Sequence, residues 1–501
     1  MYRSRTLFLL AGFLLASPAL AADEIHWTMK GTTSVTFDWR GSESSIRYGL
    51  TSSYGSTATA HTPSPLPYSS SGPFWEAPIT GLAANTTYHY SIGTSPDHLF
   101  HTPPALGSTF KVYVEGDIGD TVSYPRVGAV QSLIARGGPS FVLVVGDLTY
   151  ANSHGQAAVD NHFNNVQDWS LDAAYMPAWG NHEWDSSGDN LSNYKGRFDL
   201  PNPQTSPGAP SLGCCGEDWA WFDAGGVRFI TYPEPFSGAW SDWRTKVTAV
   251  MDAAQASSSI NFIVTYGHRP AYSSGHHPGD ATLASYMNAL GATHSKYVLN
   301  LNGHSHNYER TFPQSGVTHV TVGIGGSTLE EDGTCLYYGG CPPPSWSAFR
   351  AMHHGALRLT ISPTSITGEA ICGPVGDTGS NKNDITCSSG AVFDFFKINA
   401  QATLDTPAAS PAVAQLALEK VVPNPAVGSP QILYSLASWA PARLELVDVS
   451  GRQVLGRELG SPGPGRHEAR LGAGSAPAPG IYWLRLSQAG HDVATRVAFV
   501  R

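Results

Sequence analysis

Charged residues are scarce in this chain, at 14% of the sequence, and no block of Lys and Arg interrupts it. The formal net charge is −10. A surface of that kind has no footprint for nucleic acid, so nucleic acid is not among the expected partners. Beyond the N-terminus no apolar run is long enough to read as a transmembrane helix. The chain has 6 cysteines but no CxxC-type spacing, which removes a thiolate zinc site. What is abundant is Gly (53), Pro (36) and aromatic residues (11%). That composition belongs to short strands and turns, neither disordered nor coiled-coil. At 501 residues, about two or three domains are expected.

The N-terminus reads as an export signal. Arg3 and Arg5 precede the apolar stretch Leu7 to Leu15, and Ala19-Leu20-Ala21 supplies an A-x-A cleavage site after Ala21. An exported chain with an even cysteine count suggests disulfides. Cys335–Cys341 and Cys372–Cys387 are plausible local pairs. Cys214 and Cys215 are neighbours, between which a bond is strained, so their partners stay open.

Composition and periodicity then divide the chain. Residues 22–106 carry short alternating runs, such as Val35–Trp39 and Thr87–Tyr90, and are expected to form a β-sandwich. The Leu82, Tyr88 and Tyr90 arrangement resembles the tyrosine corner of fibronectin type III domains. Residues 107–400 change character. Lys111–Val114 and Phe141–Val145 read as buried strands, with a helical stripe of Val127, Val130 and Ile134 between them that ends at Gly137-Gly138. Phe262–Val264 and Tyr297–Leu299 repeat the theme around a helix-compatible Ala281–Leu290. The expected class is a multidomain chain: an α/β central domain with sheet packed on sheet, flanked by β-sandwiches. Residues 401–420 read as a linker. Residues 421–501 read as a second sandwich, which resembles the C-terminal immunoglobulin-like and type IX secretion sorting modules of bacterial exported proteins.

Five Gly-led segments in 107–400 carry the chemistry: Gly116-Asp117, Gly146-Asp147-Leu148-Thr149-Tyr150, Gly180-Asn181-His182-Glu183, Gly267-His268 and Gly303-His304-Ser305-His306. Each follows an apolar strand-like run. Ligands at the C-terminal edge of strands are where open α/β sheets bind. Two cations held close together need a shared oxygen, separate caps and an open face. Asp147 suits the bridge. Asp117 and His306 can complete one ion, and Asn181, His268 and His304 the other. Glycine permits the tight turn and leaves room beside the ions.

These motifs resemble those of the metallophosphoesterase superfamily, and specifically of purple acid phosphatases, over residues 107–400. The Gly146–Tyr150 segment is the distinguishing one, because Tyr150 stands where that family has a phenolate ligand. The resemblance implies Fe(III) on Asp117, Asp147, Tyr150 and His306, and Fe(II), Zn(II) or Mn(II) on Asp147, Asn181, His268 and His304. Hard phenolate and carboxylate oxygens suit a trivalent ion, and two imidazoles suit a borderline divalent one. It further implies hydrolysis of small phosphate monoesters by a metal-bound hydroxide, with His182, His276 and His277 contacting phosphate or protonating the leaving group. Glu183 and Asp120 are candidate partners that orient ligands. His353-His354 is expected to be structural, and Glu309-Arg310 to form a structural ion pair. Two other readings are a phosphodiesterase or phospholipase-D-like member, and a non-catalytic cell-surface binding protein. The C-terminal module is expected either to contact secretion machinery or the cell surface, or simply to stabilise the chain.

Overall fold

The computed structural model describes residues 22–184, 191–210, 216–330, 343–375, 385–400, 416–438, 440–461, 465–470 and 477–500. The expected leader Met1–Ala21 and Cys214, Cys215, Cys335 and Cys341 lie outside them. Cys372 and Cys387 are joined by a disulfide, as their spacing suggested.

Two sheets make the centre of the molecule. One runs in the order Ala174–Ala178, Phe141–Val145, Phe110–Glu115, Gly355–Ser362, Ser365–Cys372, Val392–Asn399. The other runs Trp221–Ala224, Val227–Thr231, Phe262–Tyr266, Tyr297–Asn302, Thr318–Val322, Tyr308–Thr311, Ser347–Ala351. The first three strands of the former are mutually parallel. So are the four from Val227 to Val322 in the latter. Side-chain alternation explains the layering. Val112, Val114, Leu143 and Val145 enter a core shared with Phe229, Val264, Leu299 and Leu301 of the opposite sheet. Tyr113, Val142 and Val144 point the other way, under the helices Val127–Gly137 and Ala157–Ser170. Ile230, Ile263 and Tyr297 do the same under Ala239–Ala256 and Ala281–Thr293. Strands buried on both faces are apolar throughout, which is why Phe141–Val145 reads as a continuous run. The first helix ends where Gly138 takes a left-handed conformation (φ 62°), and Asp280 caps the last by accepting from the Thr282 and Leu283 N–H groups.

Before this centre, two sheets of three and four strands face each other, with Phe37 packed 4.6 Å from Tyr90 and 5.2 Å from Phe100 between ring centroids. Tyr88 accepts the Ala83 N–H at 2.8 Å, five residues upstream. The Asp23–Gly31 strand also rests on the central unit. Glu24 pairs with the buried Arg197 at 2.9 Å, and a ring nitrogen of His26 lies 2.6 Å from the Arg197 carbonyl. At the C-terminal end, sheets of three and four strands enclose Ile432, Tyr434, Leu444, Leu484 and Phe499. The first of these strands, Ala417–Val422, begins inside the expected linker. Leu418 pairs with Tyr434 and Lys420 with Leu433 across a bulge, which carries strand pairing into that segment.

Glu217, beside this N-terminal contact, offers a pH test. It is buried and accepts the Leu200 N–H at 2.8 Å. Burial pushes its carboxyl up to about 8 against the opposing effect of that hydrogen bond. The folded state therefore holds a proton that the unfolded chain releases at the ordinary carboxylate pKa. Stability from this group falls as pH rises through that window and levels off above about 8. Glu217→Gln keeps the acceptor oxygen. It is expected to raise the Tm over the parent at about pH 8.5 but not at about pH 4.5, measured by calorimetry.

Candidate metal centre

All the Gly-led segments leave the C-terminal ends of parallel strands. Asp117, Asp147 and Asn181 follow Phe110–Glu115, Phe141–Val145 and Ala174–Ala178 of one sheet. His268, His304 and His306 follow Phe262–Tyr266 and Tyr297–Asn302 of the other. The segments interlock through the backbone: Asp117 N–H donates to Gly146, Ile118 to Asp147, Gly119 to Leu148 and Gly303 to His268.

Four of the predicted ligands take left-handed backbone conformations although none is glycine: Asp117 (φ 56°), Asp147 (51°), Tyr150 (55°) and His304 (70°). Such conformations each cost on the order of 1 kcal/mol or more and gather at functional sites. The leading glycines make the close approach possible. A Cβ on Gly180 would lie 2.2 Å from Asp147 Oδ1, and one on Gly303 would lie 2.4 Å from Asp117 Oδ2.

The donor atoms form two groups that share one residue. Asp147, His268 and His304 bring ligand atoms within 4.8 Å of one another, and so do Asp117, Asp147 and His306. Asp147 Oδ2 is 3.1 Å from His268 Nε2, and its Oδ1 accepts the His182 N–H at 3.0 Å. Asp117 Oδ1 is 3.2 Å from His306 Nε2. The Tyr150 hydroxyl is 3.0 Å from His306 Nε2 and 3.4 Å from Asp117 Oδ1. Asn181 Oδ1 lies 3.2 Å from His268 Nε2. These side chains are the ones named from the sequence as candidate ligands, and the fold brings them together.

Two backbone carbonyls orient the imidazoles. His268 Nδ1–H donates to Val145 at 3.0 Å and His306 Nδ1–H to Thr328 at 2.7 Å, so each Nε2 lone pair faces the centre. Burial alone would depress both rings. Asp147 outweighs it at His268, held up at about 10, and Asp117 at His306, held up at about 9. Positive charge is thus strongly favoured at both points, and a cation in place of the proton satisfies the same carboxylates. Burial, with Asp117 and Asp147, pushes the Tyr150 phenol well above its usual value, so a phenolate there also requires a cation. The donor set fits a pair of cations. His304 differs from the other two histidines. Arg269 Nη1, held by Glu234 at 3.0 Å through Nε, donates to His304 Nε2 at 2.6 Å. A ring that ligates through Nε2 has no lone pair left there, and one that ligates through Nδ1 carries its proton on Nε2. Ligation by His304 therefore opens the Arg269 contact.

A cavity of about 300 Å³ opens over the centre, lined by Asp147, Tyr150, Asn181, His304 and His306, and beyond them by Tyr124, Ser153, His182, His277, Thr328 and Glu330. His182 is tied by Nδ1 to Asn152 Oδ1 at 2.7 Å, with its ring 4.3 Å from that of Tyr150. His277 stacks on His304 at 4.0 Å. His276 is exposed, touches the His277 ring edge-on and does not line the cavity.

Glu183 is fully buried and accepts three backbone N–H groups: Gly180 at 2.7 Å, Asp147 at 2.9 Å and Leu148 at 2.9 Å. Asp120 accepts only the Val122 and Ser123 N–H groups of its own turn. His353 and His354 are buried outside the cavity wall, in keeping with a structural place. The expected Glu309–Arg310 pair does not form. Neighbours on a strand point to opposite faces. Arg310 pairs with Asp394 at 2.7 Å, while Glu309 accepts from the Ser274 N–H and hydroxyl and from the Ser347 hydroxyl. Glu330, Tyr124 and the Thr328 carbonyl were not singled out in the sequence. Glu330 falls in a loop segment with no motif of its own, and a carbonyl acceptor has no residue-type signal at all.

Comparison with known proteins gives the same region. Residues 110–308 match the calcineurin-like phosphoesterase family. An uncharacterized protein of Mycobacterium tuberculosis is 27% identical over 283 residues, 48% of this chain and 51% of that protein. Acid phosphatase type 7 of Danio rerio is 23% identical over 325 residues, 56% and 69% of the two chains. Purple acid phosphatase 23 of Arabidopsis thaliana is 25% identical over 299 residues, 51% and 62%. The chain thus spans about half the length of the mycobacterial relative it matches. Among solved structures, purple acid phosphatase PPD1 from yellow lupin seeds superposes with a TM-score of 0.56 at 20% identity, covering 75% of this chain and 74% of that one. PhoD does so at 0.51 and 12% identity, covering 75% and 90%. These two likenesses are of fold.

Proposed function

We propose that this chain, which carries a calcineurin-like phosphoesterase domain, is an exported binuclear acid phosphatase acting on small phosphate monoesters. The observation that carries the reading is the pair of donor groups sharing Asp147, with a phenol, an amide and three imidazoles around them. Asp117, Asp147, Tyr150 and His306 would hold Fe(III), and Asp147, Asn181, His268 and His304 a divalent Fe, Zn or Mn ion. Such ions, when bound, supply Lewis acidity toward phosphoryl oxygen and a water of lowered pKa. The chain's own residues do the rest. His182, held by Asn152, reaches the cavity beside Tyr150 and can contact a phosphate oxygen. His277, which lines the cavity stacked on His304, would give a proton to the departing alkoxide, and exposed His276 touches its ring edge-on. The leader Met1–Ala21 supports export, and no helix among the described residues is long and apolar enough to cross a membrane.

The test is metal analysis of the purified protein with an absorption spectrum and a monoester/diester pH profile. Iron is expected, together with a purple or pink band from tyrosinate-to-Fe(III) charge transfer that Tyr150→Phe abolishes. A colourless, iron-free and fully active preparation would exclude the Tyr150 assignment. Turnover of bis-p-nitrophenyl phosphate far above p-nitrophenyl phosphate would exclude monoester specificity.

A further inference from the structure

The cavity wall beyond the metal-ligand set has an unusual charge balance. Among the described residues, it contains no Lys or Arg, and its one carboxylate outside that set is Glu330. A carboxylate there repels any phosphate ester and weakens its binding. Histidines surround it, but no hydrogen bond holds its Oε2. Glu330 Oε2 is buried without a hydrogen-bond partner, although His277 Nε2 lies 3.4 Å away and His276 also approaches. Its other oxygen is 3.7 Å from His306 Nδ1, but that nitrogen is already engaged at 2.7 Å by the Thr328 carbonyl. Glu330 is therefore not needed to orient His306. The same wall carries the Tyr124 ring, whose hydroxyl is drawn aside to His154 Nε2 at 3.0 Å. The ring, which lines the same cavity as the carboxylate, is thus left as an aromatic surface there. A carboxylate with an aromatic face is the environment that recognises alkylammonium groups.

We propose that Glu330 and Tyr124 form a subsite for a positively charged leaving group, so that the favoured substrates are phosphate monoesters of amino alcohols, with phosphocholine as the type. The proposal rests on the phosphatase reading above and names its substrate class. An ammonium group turns the repulsive carboxylate into an attractive partner, while leaving groups that carry further phosphates meet repulsion and no basic residue. The chemistry is ordinary hydrolysis. Water oxygen forms a new bond to phosphorus, the ester P–O bond breaks, and the amino alcohol leaves with the proton of His277, which a proton from the attacking water replaces, giving orthophosphate and choline.

The test compares phosphocholine with 3,3-dimethylbutyl phosphate, which has the same shape without the charge, on the metal-loaded full chain. The expected ratio of kcat/KM values is at least about tenfold in favour of phosphocholine, falling to near one in Glu330→Gln and falling in part in Tyr124→Leu. A ratio near one in the parent protein, with good turnover of p-nitrophenyl phosphate, would overturn this inference alone. Loss of both activities together in Glu330→Gln, with the ratio unchanged, would overturn it in favour of a carboxylate that merely positions His277. No turnover of p-nitrophenyl phosphate by the parent would overturn the phosphatase reading and the subsite with it.

Discussion

Asp147→Asn is expected to lower kcat/KM for p-nitrophenyl phosphate by at least about a thousandfold, or ~4 kcal/mol of transition-state stabilisation. Asp147 is the residue common to both donor groups. Its two oxygens are committed in different directions, Oδ2 toward His268 and Oδ1 toward the Asn181–Glu183 turn. Asparagine has one ligating oxygen, and its NH₂ group would present positive hydrogens to one of the two cations. The substitution is otherwise mild. Volume is conserved, and asparagine tolerates the left-handed backbone at φ 51° as well as aspartate does. Far-UV circular dichroism and the Tm of the metal-free protein should therefore change little. Metal analysis should show fewer than two ions bound. Full activity in the variant would remove the bridging role.

Glu183→Ala is expected to weaken metal binding by about 10–100-fold and to lower the Tm of the metal-free protein as well. The carboxylate is buried and holds the N–H groups of Gly180, Asp147 and Leu148. It thereby fixes the turn that carries Asn181 against the turn that carries Asp147. Alanine leaves three buried donors without acceptors, at about 1–3 kcal/mol each where water cannot replace the carboxylate. Chelator competition followed by thermal unfolding measures both effects. Asp120→Asn is the contrast. Its side chain bonds only its own turn, so metal affinity should hold within about twofold. Equal effects from the two substitutions would show that Glu183 does not position the ligands.

The candidate centre was legible because its donor residues sit at strand ends. An apolar run stops, a glycine turns the chain, and a donor follows, so local sequence already contains the local geometry. Gly180 and Gly303 show the rule in three dimensions, since any side chain there would collide with Asp147 or Asp117. The layered α/β centre was legible for a related reason, the near-continuous apolar runs of strands buried on both faces. What escaped depended on distant partners. The pairing of Arg310 with Asp394 rather than Glu309 follows from a strand brought alongside 84 residues later. The Thr328 carbonyl that sets the His306 ring has no counterpart in residue type. His276 and His277 were indistinguishable as a dipeptide. Only the loop's path puts one ring on His304 and leaves the other exposed. Glu330 lacked any periodic or motif context, and its meaning appears only in the cavity it faces.

The donors come in two halves, Asp117, Asp147 and Asn181 from one sheet and His268, His304 and His306 from the other. A pair of ions in this place would act as a calliper across the seam. Ligand distances tolerate only tenths of an ångström, whereas a close-packed apolar core absorbs a volume-conserving substitution for less than about 1.5 kcal/mol and passes the small shift on. A substitution deep in the shared core, such as one at Leu143 or Leu299, would therefore register in metal affinity before it registered in secondary structure. Metal titration of core variants would gauge how well the two sheets are docked.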